Sequence, residues 1–411
     1  MQTHIILSRL LRCCEPFMHA ARWQALHDVA LAAVCGKALT LTTLALGTTR
    51  PTSLRYRIKC VDRLLANPHL DSERLNAYRA LAGEWLSGLA QLLIVVDWSP
   101  VTDDMQWHLL RASVVVEGRS ITLFEEVHPR KHLTACKVHQ KFIRRLAALT
   151  PPCRQPPIVI TDAGFRSTWF RLIDEQGWYW IGRTRNRDFV RRHLGHGQGP
   201  GLGEWFAAKQ LYAKATTTAA DLGAYEAVRS RPFSCRFALI KMKPTGRKHK
   251  YPSGKVRRNS SAKKAAQCHR EPWLLCYSPT LAYLGAAAVV KLYAQRMRIE
   301  QQFRDTKNPA HGMGLAQAKS RGQRRLQALL LIAHIAEMAK RLIGEAAQAA
   351  QLELALMSNN IKNRKTISVM TLATRVIERP DLMRKVTDVW SHMETLRRQA
   401  NEASACAQRT I

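Results

Sequence analysis

Two short apolar runs, QLLIVVD at 91–97 and PPIVITD at 156–162, constrain the fold of this chain more than any other feature, and each ends in an aspartate. Both are short for a helix and lack a polar residue at every second position, so each reads as a strand buried on both faces. Such strands require a sheet covered by helices, and they bring Asp97 and Asp162 to strand ends. Between them, WHLLRASVVV and SITLFEEV flank Glu117-Gly118, a hairpin turn signal. A helical stretch is expected over about 134–149. After Asp162 come the helical STWFRLIDEQG and the strand WYWIGRTR, in which Trp178 and Trp180 alternate with Tyr179. EPWLLCYS returns to strand character, and Trp98 is expected to pack beneath the first aspartate.

Helical periodicity dominates on either side of this zone. RWQALHDVALAAVC and SERLNAYRALAGEWLSGL repeat apolar residues at helical spacing, the second with Ser72 as its expected cap. Between them an apolar helix, a turn around Thr48 to Pro51 and a basic helix with Arg55, Arg57, Lys59 and Arg63 resemble a helix-turn-helix arrangement. The C-terminal zone holds amphipathic stretches such as RRLQALLLIAHIAEMAKRLIGEAA, suited to helix packing or self-association. The expected organisation is a helical DNA-binding domain at 1–88, an α/β domain at 89–330 with a basic β-rich insertion at about 186–275, and a helical region at 331–411.

Charge identifies the class of partner. The 64 Lys and Arg against 30 Asp and Glu give a formal net charge of +34 and a pI near 10.5, which points to a polyanion, double-stranded DNA above all. No apolar run of 18 residues and no basic stretch feeding an apolar signal core are present, so the chain is expected away from the membrane, in the cytoplasm and associated with the nucleoid. Residues 241–270 carry eleven Lys and Arg and no acid, and this stretch, with Lys248, Lys250, Arg257 and Arg258, reads as a loop that tracks phosphates. The ten cysteines are scattered without a C-x-x-C pair, which argues against a disulfide framework. His128, His132, Cys136 and His139 leave two readings open, a zinc site of unfamiliar spacing or a solvated helix facing nucleic acid.

One segment concentrates polar chemistry. YAQRMRIEQQFRDTK reads as one helix, on which Tyr293, Arg296, Glu300 and Lys307 fall within an arc of roughly 60° and share one face. A strand with Asp97, an antiparallel hairpin, a helix, a strand with Asp162 and a later helix with Glu300 follow the element order of a ribonuclease H-like fold, an α/β architecture in which three acids converge at one edge of the sheet. Hard divalent ions prefer such oxygen ligands, and two of them can serve phosphoryl transfer.

These residues carry a family resemblance. IVVDWS, VITDAGF and the pattern Y-x2-R-x3-E-x6-K, met by Tyr293, Arg296, Glu300 and Lys307, resemble bacterial insertion-sequence transposases of the DDE type, the IS-four family. VDRLLANPHL, LRASVVVEGRSITLFEE, GWYWIGRTR and REPWLLCYS are similar to the branch typified by the Tn-ten transposase, over about residues 1–345. The resemblance implies a cut-and-paste enzyme that binds terminal inverted repeats, nicks the element ends, opens them through a hairpin intermediate and joins them to target DNA. It implies that Asp97, Asp162 and Glu300 hold two Mg²⁺ ions, with Mn²⁺ able to substitute, and that Tyr293, Arg296 and Lys307 grip phosphates in a synaptic homodimer. Trp273 matches the family position that receives a flipped base, and ordinary core packing is its other reading. Two rival functions stay open at this level: a structure-specific nuclease on the same fold, and a DNA-binding derivative without catalysis. His311 could touch DNA.

Overall fold

The computed structural model describes residues 2–36, 38–185, 188–193, 203–243, 256, 259–260, 271–309, 312–357 and 367–405. Two compact units emerge, one from Met1–Gln155 with Met297–Ala403 and the other centred on Pro156–Arg296.

The first unit begins with five helices: α1 (Gln2–Leu11), α2 (Ala20–Cys35), α3 (Leu41–Gly47), α4 (Leu54–Ala66) and α5 (Pro68–Leu86). Ser53 caps α4 by accepting from the Tyr56 amide, so the apolar helix, turn and basic helix read from the sequence are present as α3 and α4. α5 starts four residues before the expected Ser72. Asn67 accepts from the amides of His69 and Leu70, and Pro68 occupies the first turn, where its missing N–H costs nothing.

Three antiparallel strands follow in the spatial order β3-β2-β1: β1 (Leu93–Pro100), β2 (Trp107–Val116) and β3 (Arg119–Pro129). The hairpin turn falls at Glu117-Gly118, where Gly118 takes φ +69, a left-handed conformation that glycine adopts without steric cost. β1 does not end at Asp97 but runs on to Pro100, because Ser99 and Pro100 continue the pairing with Leu109 and His108. β3 is the outer strand of this trio, and α5 blunts its free edge: Arg74 Nη1 donates to the Glu125 carbonyl at 2.7 Å. α6 (Cys136–Leu149) starts two residues later than expected, since Thr134 sits at φ +62, outside the helical region. Phe142 of α6 stacks on Phe124 of β3 at 5.1 Å.

In the second unit, β4 (Ile158–Thr161) pairs in parallel with β5 (Tyr179–Thr184) across the connecting helix α7 (Ser167–Asp174). β10 (Trp273–Tyr277), β9 (Phe233–Ile240), β8 (Ala220–Ala227), β6 (Phe189–Arg192) and β7 (Phe206–Ala207) extend the sheet from β5 in that order, each pair antiparallel. The protein is thus mixed α/β with a large mixed sheet. Gly182 on β5 is required by packing, for a Cβ there would lie 2.3 Å from the Phe170 ring of α7.

The segment Tyr293–Lys307 is not one helix. α8 (Ala286–Ala294) closes with the amides of Gln295 and Arg296 bonded to the carbonyls of Leu292 and Tyr293, a tighter three-residue pattern, and α9 (Met297–Lys307) starts afresh. Only Glu300 and Lys307, seven residues apart, share a helical face as expected. α10 (Gln323–Ala349) returns to the first unit and is buried around its whole circumference from Leu326 to Ala347, so its apolar stripe serves packing within the unit. Among the described residues, no helix is long and apolar enough to cross a membrane.

Candidate active site

In the first unit, the strand register lines up Asp97, Arg111 and Glu125 as direct neighbours across β1, β2 and β3. Residues paired in this way point to one face of a sheet. α9 covers that face. Arg111, almost inaccessible to solvent, pairs with Glu125 at 2.6 Å and donates to Thr306 Oγ1 at 3.1 Å. One turn earlier, Gln302 accepts from Ser113 at 2.7 Å and Ser120 at 3.0 Å and donates to Thr122 at 2.7 Å. Arg119 holds Asp305 at 2.7 Å and also donates to Gln301. The helix bearing Glu300 is thereby fixed through Gln301, Gln302, Asp305 and Thr306.

Lys307 closes this row. Its ammonium donates to Ser99 Oγ and lies 5.4 Å from the Phe303 ring centroid. Burial and the Arg111 charge push its pKa down to about 8, against the pull of Asp97. The Lys307 partner Ser99 stands two residues from Asp97 on β1, on the same face of the strand. Asp97 Oδ1 accepts from the Trp98 amide at 2.8 Å. The Trp98 side chain leaves on the opposite face, as alternation requires, and its indole N–H donates to His139 Nε2 at 3.2 Å. Burial, then the nearby His128, lowers the pKa of His139 to about 4, which keeps it a neutral acceptor.

The second unit holds the remaining residues. Asp162 directly follows β4, half-buried, its Oδ1 accepting from the Gly164 amide at 2.7 Å. Trp273 opens β10 opposite Ile240, so the basic stretch leaves and re-enters the sheet beside it. The Trp273 ring meets Tyr293 edge to face, 5.1 Å between centroids, with Tyr293 buried and Trp273 half-buried. Arg183, its pKa lowered by burial, lies against the carbonyls of Glu271 and Pro272 just before that tryptophan. Arg296 stands in the turn between α8 and α9.

On α4, Arg55 is exposed, whereas Arg57 turns inward and donates to the Thr48 carbonyl at 2.7 Å. Lys248, Lys250, Arg257, Arg258 and His311 lie outside the described residues. The histidine and cysteine cluster does not gather: His132 ends a separate 3-10 turn (Arg130–His132), Cys136 is exposed, His128 pairs with Glu126 at 3.2 Å, and His139 serves Trp98. Among the described residues, no three His, Cys, Asp or Glu side chains stand together as a metal-holding group. Asp97, Asp162 and Glu300 are each half-buried carboxylates, an oxygen-only donor set of the kind hard divalent cations take.

Sequence reasoning passed over Arg111, Glu125, Gln302, Thr306 and Glu337, the side chains that seat α9. A signal existed in the charges set within WHLLRASVVV and SITLFEEV, which strands buried on both faces tolerate only when paired.

The family model described as a transposase DDE domain matches residues 90–338, more than half of the chain, and the chain belongs to that family. It is a transposase, with DNA as its substrate. No curated protein matches it.

Proposed function

We propose that the protein is a cut-and-paste transposase of the IS-four type, related to the Tn-ten branch. It would recognise the inverted repeats of its own element, cleave the ends through a hairpin and join them to target DNA as a homodimer. The core is read as ribonuclease H-like, spanning about 89–330, between a helical DNA-binding domain at 1–88 and a helical region at 331–411. The single observation carrying this reading is the seating of α9 on β1–β3, which sets Glu300 and Lys307 on one helix face and Lys307 on Ser99, two residues from Asp97.

Asp97, Asp162 and Glu300 are the residues that would hold two Mg²⁺ ions. When bound, such ions neutralise charge at the phosphoryl group and sharpen an oxygen nucleophile. Lys307, Tyr293 and Arg296 bind and orient the phosphate strand. The low pKa of Lys307 keeps part of its population neutral near pH 8, so phosphate, which favours the ammonium, draws a proton back onto Nζ. Trp273 receives the base displaced when the strand folds into a hairpin, its ring steadied by Tyr293. Arg55 on α4, with Lys248, Lys250, Arg257 and Arg258, meets flanking phosphates, whereas Arg57, expected to do the same, is engaged with the Thr48 carbonyl.

The test is incubation of the protein with a DNA end of its element and Mg²⁺, resolved on denaturing gels. Nicked, hairpinned and strand-transferred products are expected in that order. Nicking alone, with no hairpin and no strand transfer, would overturn the transposition reading in favour of a nuclease.

A further inference from the structure

Thr306 Oγ1 has three partners and one proton. Arg111 Nη1 can only donate to it, from 3.1 Å, and the Gln302 carbonyl can only accept from it, also at 3.1 Å. The third partner is Glu337 Oε1 on α10, at 2.7 Å. If Glu337 is ionised, two acceptors compete for a single hydroxyl hydrogen and one buried bond is lost. If Glu337 carries a proton, all three are satisfied: Arg111 and Glu337 donate to Oγ1, and Oγ1–H donates to Gln302. Arg111 already has its counter-charge in Glu125, so a second buried carboxylate here would be in excess.

We propose that Glu337 is a positioning residue that, held as a neutral acid, donates its proton to Thr306 and so locks α9 onto the β1–β3 sheet. Its surroundings agree. Arg111 from β2, Glu125 and Arg119 from β3, and Asp305 from α9 are the charged groups facing it from neighbouring elements. On its own helix, His334, Lys340 and Arg341 adjoin it. Burial raises the Glu337 pKa to about 7, opposed by Arg111 and Thr306 and reinforced by Glu125 and Asp305. The proton leaves around neutrality, and a cavity lined by Gln302, Asp305, Glu337 and Arg341 adjoins the carboxyl. Loss of the proton leaves Glu337 and the Gln302 carbonyl competing for one hydroxyl hydrogen, so one of the three bonds at Thr306 is lost and the helix that carries Glu300 is held less firmly. The catalytic consequence rests on the reading of Glu300 as a site carboxylate; the protonation state does not.

Two variants and two readouts test this. Glu337→Gln offers an amide N–H in place of the acid proton, whereas Glu337→Leu offers nothing. In thermal unfolding from pH 5 to 8.5, the folded protein holds this proton more tightly than the unfolded chain, so wild-type stability falls as pH rises from the ordinary value of 4.5 through about 7. The Gln variant lacks that loss and gains on the wild type by about 5 °C at pH 8. Parallel curves for the two proteins would overturn the proposal. In metal-dependent cleavage at pH 7, Glu337→Gln should stay within about twofold of wild type and Glu337→Leu should fall at least about tenfold, with metal-free DNA binding unchanged in both, the cost of a lost buried hydrogen bond. Equal damage from the Gln and Leu variants would also overturn it. If the wild type cleaves no DNA, the transposase reading fails, and the unfolding curves still decide the state of Glu337.

Discussion

The two halves of the chemistry are held in opposite ways. In the first unit, the central polar side chains that seat α9 are buried and paired, from Arg111 with Glu125 to Gln302 with three hydroxyls, with the half-buried Arg119–Asp305 pair beside them. In the second, Trp273 leans half-buried on Tyr293, ring against ring, at the start of β10. On the proposed reading, a carboxylate that meets a cation tolerates little displacement, and the helix bearing Glu300 is cross-linked to the sheet in a low-dielectric interior where such bonds are strong. On the same reading, a ring that accepts a base needs an open face and room to adjust.

The strongest way to break this contrast is Glu300→Gln. It should abolish Mg²⁺-dependent cleavage while leaving DNA affinity and the melting temperature unchanged, because the amide keeps the shape and loses the charge. Cleavage surviving in that variant, measured on end DNA, would remove Glu300 from the site.

The next largest effect is on stability. Arg111→Leu strands Glu125 in the interior and should cost about 3 to 5 kcal/mol in denaturant unfolding. Replacing Glu125 with leucine as well should recover most of it, since an apolar pair of similar volume often matches a buried ion pair. Failure of the double variant to recover would show that Thr306, Tyr78 and Arg74 depend on the charges themselves.

Trp273→Ala sharpens the comparison from the other side. Nicking should persist and hairpin formation should slow by roughly tenfold to a hundredfold, the loss of about 1 to 3 kcal/mol of stacking, with little change in melting temperature. A base-deleted end should partly restore hairpins. Uniform loss of nicking, hairpinning and thermal stability would instead assign the ring to packing.

The smallest effect separates two neighbours on α4. Arg57→Ala should lower stability by about 1 kcal/mol through its bond to the Thr48 carbonyl, whereas Arg55→Ala should reduce only DNA affinity, with a shallower salt dependence. Identical behaviour of the two in unfolding and binding titrations would show that the inward turn of Arg57 has no consequence.

Much of this molecule was legible in its residues because the relevant physics is local. Apolar runs without alternation read as covered strands, which placed β1 and β4 and put Asp162 just past the end of β4, whereas Asp97 lies within β1, three residues before its end. Glu117-Gly118 announced the hairpin, and the unpaired cationic excess announced a polyanionic partner, in keeping with the transposase family to which the chain belongs. Periodicity misjudged what depends on backbone geometry between elements. The stretch Tyr293–Lys307 has no proline or glycine to mark its break, yet three-residue hydrogen bonds at Gln295 and Arg296 divide it.

What only the tertiary structure decided is which polar residues are buried and with whom. Arg111 and Glu125 are 14 residues apart in the chain and opposite each other in the sheet, while Thr306 reaches Arg111 from 195 residues further on and is itself bonded to Glu337 of the next helix. Nothing in the residue types distinguishes such a buried glutamate from a solvated one. Its state follows from the number of protons that its neighbours leave available, and that number exists only when the helices and the sheet are packed together.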